Sequence, residues 1–140
     1  MVLRFANVYG PYSAHKQSVI AQFFQDILAG RSITIDGDGQ QTRDFIYVND
    51  LCHAIRLALE SEVAGEVFQI ATGVETSIRE LAGMVEEVVG TPVELCHGPA
   101  RQGDIRKNYS SVSKVRIALG WEPRVALRKG LELTWDWFHQ

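Results

Sequence analysis

The sequence predicts an α/β fold in which helices cover strands in layers, and two observations support this expectation. Short apolar runs, typical of buried strands, alternate along the chain with longer segments whose apolar residues recur at helical spacing. No internal repeat, low-complexity segment or linker-like stretch interrupts the alternation. The 140 residues are therefore expected to form one unit.

The first elements are a strand, a helix and a pair of strands. Residues 2–6 (VLRFA) read as a buried strand that ends abruptly at the Gly-Pro turn of NVYGPY. Residues 20–28 place apolar side chains on one helical face, and Gly30 ends that helix. Residues 32–36 and 44–48 are predicted as strands of a hairpin-like pair, because a Gly-Asp-Gly turn separates them.

A helix and a further strand follow. Asn49 or Asp50 is expected to cap the helix, because short polar side chains accept hydrogen bonds from the free amides of a first turn. The apolar positions of this helix recur from residue 51 to residue 59. Residues 67–71 (VFQIA) then form another short buried strand.

The next helix has a well-marked start. Ser77 and Glu80 have the spacing of a capping box, in which the hydroxyl and the carboxylate exchange hydrogen bonds with free backbone amides. This helix is expected to end at Gly90. The remaining predictions are, in order, a strand at 93–96, a polar loop at 100–109, a short helix at 113–120, a turn at 121–123 and a last helix carrying Leu127, Leu131, Trp135 and Phe138.

The charge distribution excludes one class of partner. The chain has 14 basic and 17 acidic residues, a formal net charge of −3 and no basic stripe. A nucleic-acid backbone requires a concentrated basic face, so we expect no nucleic-acid partner. Arginines can still form a small local phosphate pocket.

The sequence also indicates a cytoplasmic protein without a membrane segment or a metal site. No apolar run is long enough to span a bilayer, and the first residues lack a basic segment followed by an apolar stretch. Two cysteines, Cys52 and Cys96, fit a reducing compartment. Each precedes a histidine, but adjacent residues point to different faces and no Cys-x-x-Cys spacing exists, so no metal is predicted.

Several phrases resemble one family of enzymes in their order and spacing. They are residues 3–11 (LRFANVYGP), 37–50 (GDGQQTRDFIYVND), 69–78 (QIATGVETSI), 101–104 (RQGD) and 119–123 (LGWEP). With these phrases the chain resembles the extended short-chain dehydrogenase/reductases, and among them the UDP-glucose 4-epimerase-like enzymes of sugar nucleotides. The resemblance covers nearly the whole chain.

The resemblance implies a fold, a reaction and a ligand. The fold would be the carboxyl-terminal part of a Rossmann-like nucleotide-sugar epimerase, with a small mixed α/β substrate-binding domain. Residues 1–140 would combine that domain with terminal strands of the main sheet, and the amino-terminal NAD-binding half would be absent. Such enzymes oxidise a sugar hydroxyl with NAD to a 4-keto sugar and return the hydride to the opposite face. The implied ligand is a UDP-sugar or related nucleotide sugar, and the surface left by the absent half could support self-association.

Two features that the family uses for chemistry are not matched here. Gly37 and Gly39 form the only Gly-x-Gly sequence, and it lies between predicted strands rather than before a helix, so we do not expect it to bind a pyrophosphate. Tyr12 and Lys16 have the family's Tyr-x-x-x-Lys spacing, but they follow the Gly-Pro turn instead of lying within a long helix. No catalytic residue is assigned, and the chain alone is expected to be inactive.

The resemblance implies polar contacts to a nucleoside diphosphate. Arg43 and Arg101 match family positions that contact the diphosphate or ribose, and Asn7 matches an asparagine that donates to the diphosphate. The alternative is that each arginine only pairs with a nearby carboxylate, Asp44 or Asp104. Asp104 could bind a ribose hydroxyl or brace Arg101, and Asn7 could be a turn residue.

The resemblance also implies apolar contacts. Phe5 and Val8 match positions near the nicotinamide of NAD. The base pocket would be lined, by analogy, by Val19, Ile20, Phe23 and Ile35. For these residues the alternative is a role in the core alone.

The resemblance favours part of an NAD-dependent epimerase, and two alternatives remain open. One is a nucleotide-sugar dehydratase or decarboxylase of the same family. The other is a stand-alone, non-catalytic module that binds nucleotides or another protein.

Overall fold

A computed structural model describes residues 1–140, and it shows short strands alternating with helices. The strands are β1 (Val2–Phe5), β2 (Asn7–Tyr9), β3 (Ile33–Asp36), β4 (Thr42–Arg43), β5 (Phe45–Tyr47), β6 (Val67–Ile70), β7 (Thr76–Ser77) and β8 (Leu95–Gly98). The helices are α1 (Val19–Leu28), α2 (Val48–Glu60), α3 (Ile78–Val89), α4 (Ser113–Leu119) and α5 (Leu127–Phe138). None of the helices combines the length and the apolar character that crossing a membrane requires.

Parallel pairing dominates the strand arrangement. β1 pairs with β6, β2 with β5 and β3 with β8, all in parallel, whereas β4 and β7 pair antiparallel. Parallel partners need long crossover connections, and helices lie in each of these connections. The predicted alternation of strands and helices therefore corresponds to an α/β arrangement.

The hairpin-like pair predicted for residues 32–36 and 44–48 is wrong. β3 pairs with β8, with Ile33 opposite Leu95, and β5 pairs with β2. The Gly-Asp-Gly turn does separate β3 from β4. A turn fixes the direction of the chain, however, whereas the choice of partner depends on which apolar face becomes buried.

Residues 7–9 form a strand, where the sequence predicted a turn. The chain leaves β1 through Ala6, whose amide donates to the carbonyl of Ile70 at 3.0 Å. The amide of Asn7 then donates to the carbonyl of Asp44, also at 3.0 Å. One extended segment thus exchanges one strand partner for another, and the Gly-Pro signal marks where the second strand ends.

Two apolar clusters flank β5. Phe45 and Tyr47 belong to the larger cluster, which packs among α1, β3, α3 and α5. Ile46 belongs to the smaller cluster, which includes residues of β6, α2 and α4 and the fully buried Trp121. Successive side chains of a strand point to opposite faces, so β5 contributes to both clusters. The Trp121 indole donates to the carbonyl of Asp50 at 3.0 Å, which satisfies its buried N–H.

The predicted cap of α2 by Asn49 or Asp50 is wrong. The N-cap residue is Tyr47, which makes no side-chain cap hydrogen bond. Asp50 is 3% exposed, and its Oδ2 accepts from the amides of Arg124 and Val125 at 3.1 and 3.0 Å. Its carboxylate lies in the first turn, where the helix dipole favours it, but it holds the segment before α5 rather than its own helix.

The predicted boundaries of α3 are confirmed. Ser77 Oγ accepts from the Glu80 amide at 3.1 Å, and Glu80 Oε2 accepts from the Ser77 amide at 2.8 Å. The helix ends at Gly90, whose φ of 75° lies in the left-handed region that glycine enters without a steric penalty. Both signals are local, so they do not depend on the strand partners.

Candidate functional site

A cleft of about 690 Å³ opens beside the larger apolar cluster. Its walls come from β2, α1, β3 and β4 and from the loop that follows β8. The volume lies within the usual range for small-molecule sites. The strand pairing brings these segments together, because β2 aligns with β5 and β3 with β8.

Most of the residues predicted to contact substrate or cofactor line this cleft. They are Asn7, Val8, Val19, Ile20, Phe23, Arg43, Arg101 and Asp104. Ile35 and Phe5 do not line it. Ile35 is completely buried within the larger cluster, and Phe5 lies at the end of β1 with 58% of its surface exposed. Ile35 therefore supports the wall from behind, and Phe5 belongs to an open surface.

Arg43 fixes β4 to the loop that follows β8. Its guanidinium forms an ion pair with Asp104, and its Nη1 donates to the carbonyl oxygens of Thr42 and Ile105 at 2.7 and 2.6 Å. The Arg43 side chain is only 17% exposed. The alternative pairing of Arg43 with Asp44 is not formed. A guanidinium carries five N–H groups, so donors remain for a ligand.

Arg101 lies in the same loop and is far more exposed. Its Nε is 2.6 Å from Oδ2 of Asp36, and its side chain is 78% exposed. Arg101 therefore pairs with Asp36 of β3 and not with Asp104, the partner that the sequence left open. Exposed ion pairs contribute little stability, so the guanidinium can turn toward an anion in the cleft at small cost.

Asp44 is a buried scaffold residue beneath Asn7. Its carboxylate accepts from the amide and hydroxyl of Thr72 at 2.8 and 2.7 Å and from the amide of Gly73 at 2.8 Å. Asn7 Nδ2 donates to the Asp44 carbonyl at 3.1 Å. A primary amide has two N–H groups, so Asn7 retains one for a ligand.

Ser18, at the amino terminus of α1, is a cleft residue that the sequence analysis missed. It is the N-cap residue with φ −75° and ψ 150°, yet its side chain makes no cap hydrogen bond. Its Oγ is buried without any partner, and the residue lines the cleft. A buried hydroxyl without a partner is unfavourable, so this position is suited to a ligand acceptor. A serine directly before an apolar helix is a known capping signal and could have identified it.

Further polar residues of α1 line the cleft. Gln22 Nε2 donates to Oδ1 of Asp26 at 3.1 Å, and Nη2 of Arg31 donates to the same oxygen at 2.8 Å. Asp26 is 8% exposed, and the arginine compensates its charge. No motif of the sequence singles out these residues, since each is an ordinary polar residue of an amphipathic helix.

Tyr9 forms part of the cleft floor as a neutral hydrogen-bond donor. Burial raises the pKa of its hydroxyl, and nearby Tyr47 and Asp50 raise it further. Its Oη donates to the Leu127 carbonyl at 3.3 Å. Gly130 permits this contact, because a Cβ at that position would lie 2.0 Å from the Tyr9 oxygen. The phenol is therefore held protonated and in a fixed position.

Tyr12 and Lys16 do not form a helical Tyr-x-x-x-Lys pair. They lie in the loop between β2 and α1, and neither lines the cleft. The ring of Tyr12 packs against Trp137 with 5.1 Å between centroids. The stacking on one helix face that brings lysine next to tyrosine is therefore not present.

The residues present fit only the edge of an NAD site. Val8 and Phe5 offer apolar surface on neighbouring strand segments. The turn of Gly37 and Gly39 connects two strands, so its amides do not precede a helix as a pyrophosphate-binding turn requires. No group of three or more His, Cys, Asp or Glu side chains is placed to hold a metal ion.

Comparison with known proteins agrees with this arrangement. A model of the NAD dependent epimerase/dehydratase family matches residues 1–71. UDP-glucose 4-epimerase of Mycolicibacterium smegmatis is 42% identical over 135 residues, covering 95% of this chain and 43% of that protein. A dTDP-glucose 4,6-dehydratase of Streptomyces niveus and UDP-glucuronic acid decarboxylase 4 of Arabidopsis thaliana are each 34% identical over 99% of this chain, which covers 41% and 31% of them.

Solved structures share the fold of the chain. UDP-glucose 4-epimerase of Thermotoga maritima with UDP-glucose has a TM-score of 0.93 and 41% identity, over 99% of this chain and 45% of that one. UDP-glucuronic acid 4-epimerase of Bacillus cereus, in complex with UDP-glucuronic acid and NAD, has a TM-score of 0.92 and 30% identity, over 100% of this chain and 45% of that one.

The chain spans less than half the length of these relatives. The family match begins on β1, runs through β2 and the arginine-bearing β4, and ends just after β6, so it includes much of the cleft wall. Relatives and solved structures extend the similarity to nearly every residue. The chain belongs to the NAD-dependent epimerase/dehydratase family.

Proposed function

We propose that this chain is the nucleotide-sugar-binding part of an NAD-dependent epimerase of the UDP-hexose 4-epimerase type. The observation that carries the proposal is the convergence of Asn7, Arg43 and Arg101 on one cleft from three separate segments. Two guanidinium groups and an amide form a set of donors suited to a diphosphate. Relatives and solved structures that act on or hold UDP-sugars support the choice of ligand.

The diphosphate would lie across the amino terminus of α1. The first-turn amides of a helix are free donors, and the helix dipole favours an anion there. α1 has no acidic residue in its first turn that would compete for this position. The Ser18 hydroxyl, which has no partner in the chain, would donate to a phosphate oxygen. Arg43 would approach from β4 and Arg101 from the exposed loop at the mouth.

The nucleoside would use the apolar wall of the same cleft. Val19, Ile20 and Phe23 offer a surface on which a base can pack, and Ile35 holds Phe23 from behind. Asp104 uses one carboxylate oxygen in its pair with Arg43. Its second oxygen would accept a ribose hydroxyl. Asp104 would then brace an arginine and bind a ligand at once.

The chain would position the substrate and leave the hydride chemistry elsewhere. In the whole enzyme, NAD would supply the hydride chemistry, and Phe5 and Val8 of this chain would line only the edge of its site. The contribution of this chain is to bind and orient the nucleotide sugar and to exclude water from one side of it. We therefore expect the isolated chain to bind but not to turn over a UDP-hexose, and measurable conversion of UDP-glucose by the pure chain with NAD would contradict this.

Two other functions would use the same cleft. A dehydratase or a decarboxylase would use the same diphosphate contacts, and relatives of both kinds are 34% identical to this chain. A stand-alone, non-catalytic nucleotide-binding module would also use the same cleft. An assay of the whole protein with UDP-glucose, dTDP-glucose and UDP-glucuronic acid separates the three enzymatic activities, because their products differ.

Calorimetric titration with UDP tests the binding proposal. Arg43→Ala removes a largely buried charged donor, so we expect UDP affinity to fall by about tenfold. Arg56→Ala is a matched control, because Arg56 lies on α2, is exposed and pairs only with Glu60. Equal UDP affinity of the Arg43 variant and the parent would rule out the proposed diphosphate site.

An exposed apolar surface carries the proposed self-association. Val2 and Val67 are opposite each other on β1 and β6, and both are exposed, as is Phe5 nearby. Adjacent exposed apolar side chains favour association. Sedimentation velocity should show a concentration-dependent dimer that Phe5→Lys weakens. A chain that stays monomeric at high concentration would contradict this part of the proposal.

A further inference from the structure

The loop of residues 10–17 connects β2 to the amino terminus of α1. Its last residue, Gln17, lines the cleft together with Ser18 and Val19, which begin the helix. The amide and hydroxyl groups of this helix start are those that would receive an anion. The conformation of the loop therefore decides where these donors lie.

Tyr12 is the strained residue of this loop. It is the only non-glycine residue of the chain with a positive φ, at 64°. L-residues with a side chain rarely adopt this conformation, so surrounding contacts must hold it. The side chain is 77% exposed and so gains little from burial. Its aromatic contact is with Trp137 of α5, at 5.1 Å between centroids and 51° between planes.

Trp137 is itself held by a cluster that ties α5 to α1. Its ring packs edge-on against Phe138 at 5.3 Å. Phe138 in turn packs on Phe24 of α1 at 5.5 Å, and Trp135 packs on Phe24 at 5.3 Å. Trp137 therefore lies on a helix that Trp135 and Phe138 anchor to α1, whose first turn faces the cleft.

The other contacts of the loop are mostly short-range hydrogen bonds, and Gly10 packs so closely on Val48 that a Cβ there would lie 2.5 Å from Cγ1. Ser13 Oγ donates to the Gly10 carbonyl at 2.6 Å, and the Lys16 amide donates to the Ser13 carbonyl at 2.9 Å. Gln25 of α1 donates through its side chain to the carbonyl of Ala14. These bonds close the turn and attach it to α1. The Tyr12 ring adds an aromatic attachment to α5.

We propose that Tyr12 and Trp137 form a latch that fixes the loop and so positions the amino terminus of α1 for an anionic ligand. Tyr12 is then a positioning residue that does not touch the ligand, since it does not line the cleft. The strained backbone is consistent with this role, because the contact holds a conformation that the loop alone would leave. The ligand part of this inference rests on the proposed function.

The experiment combines UDP titration with amide hydrogen exchange of the ligand-free chain. Tyr12→Gly removes the ring but adopts the positive φ without strain, and Trp137→Leu removes the other half of the latch. Tyr12→Phe keeps the ring contact as the conservative variant. His15→Ala serves as a control, because His15 is exposed in the same loop and forms no hydrogen bond or aromatic pair with α5.

We expect Tyr12→Gly and Trp137→Leu each to lower UDP affinity about fivefold. The double variant should bind no more weakly than the weaker single variant, since both changes open one latch. Exchange of the Lys16 amide, which is bonded to Ser13, should accelerate in both variants. Tyr12→Phe should match the parent in UDP affinity and in exchange at Lys16, because it keeps the ring. A difference would mean that the phenolic oxygen has a role.

Three results overturn the inference. Additive losses of affinity in the double variant would mean that the rings act separately. Faster exchange at Lys16 with unchanged UDP affinity would mean that the contact orders the loop without positioning the helix. Unchanged exchange would mean that no latch exists. If the parent chain fails to bind UDP, the proposed function fails, and the exchange of Lys16 still decides whether the latch is real.

Discussion

Helices α1 and α3 start with the same backbone conformation, but the hydrogen-bond groups at their amino termini differ in whether they have partners. Each is preceded by a serine with nearly the same extended backbone, φ −75° and ψ 150° at Ser18 and φ −72° and ψ 154° at Ser77. At α3 the serine and Glu80 satisfy each other's amides. At α1 the serine has no partner, and its hydroxyl is buried beside the cleft.

Part of the difference lies in the third helical position. α3 has the carboxylate of Glu80 there, whereas α1 has Ala21, which cannot accept a hydrogen bond through its side chain. The first-turn amides of α3 donate to the carbonyls of Gln41 and Gly39 and to Ser77 Oγ, whereas the first turn of α1 leaves its amides free for an external anion. An acidic residue in the first turn of α1 would stabilise that helix, but its carboxylate would occupy the position proposed for the diphosphate.

The largest expected effect comes from adding a carboxylate to the open terminus. Gln22 is exposed in the first turns of α1 and lines the cleft, and Gln22→Glu adds a carboxylate of nearly the same shape in place of the amide that donates to Asp26. We expect UDP affinity to fall by about tenfold, because the new carboxylate repels the diphosphate. Gln40→Glu, which is exposed and outside the cleft, should leave titration curves unchanged. Similar affinities for Gln22→Glu and the parent would place the anion elsewhere.

The next effect concerns stability alone. Ser77→Ala removes a satisfied cap, so the free energy of unfolding should fall by about 1 kcal/mol. UDP affinity should not change, because Ser77 does not line the cleft and its hydroxyl is already bonded to Glu80. Urea denaturation of the parent and the variant measures the loss. A variant of unchanged stability would show that the hydrogen bonds of this cap contribute nothing.

Ser18→Ala is the matched change at the open terminus. The hydroxyl has no partner in the ligand-free chain, so its removal should leave the free energy of unfolding within about 0.5 kcal/mol of the parent. UDP affinity should fall by about threefold, since one neutral donor to the phosphate is lost. A loss of stability as large as that of Ser77→Ala would contradict the distinction between the two helices.

The smallest effect is a pH dependence confined to α3. The Ser77 amide, and then the Ser77 hydroxyl, hold the pKa of the Glu80 carboxyl below its usual value of 4.5. A lowered pKa in the folded state stabilises the fold above the unfolded value, and this stabilisation disappears as the pH falls through the folded value. The stability gap between the parent and Glu80→Gln should therefore be present near about pH 7 and shrink toward about pH 3. A gap that is independent of pH would mean that the charge of Glu80 is irrelevant.

Local signals explain which parts of the fold the sequence could predict. Neighbouring residues determine the capping box of Ser77 and Glu80 and the end of α3 at Gly90, and both predictions are confirmed. The nearby sequence does not determine which strand pairs with β3, because the pairing depends on the burial of Ile33 and Ile35 between elements distant in sequence. The turn after β3 therefore suggested a hairpin that does not form.

Some features of the candidate site could likewise be predicted from the sequence and others could not. Arg43, Arg101 and Asp104 lie in phrases typical of the family, so their place in one cleft could be predicted. The ion pair between Arg43 and Asp104 joins residues 61 positions apart and could not be predicted from spacing. Ser18 escaped notice because its importance lies in a hydrogen bond that the chain does not make.

An amide-correlation NMR titration of the chain with UDP most directly tests whether the diphosphate binds at the start of α1. We expect shifts at the amides of Val19 and Ile20 in the first turn of α1, together with Arg43 and Asn7. The amides of Arg79 and Glu80 in the first turn of α3 should stay unchanged, because they already donate to the Gly39 carbonyl and to Ser77 Oγ. Shifts at both helix starts, or at neither, would contradict the claim that α1 alone is open to a diphosphate.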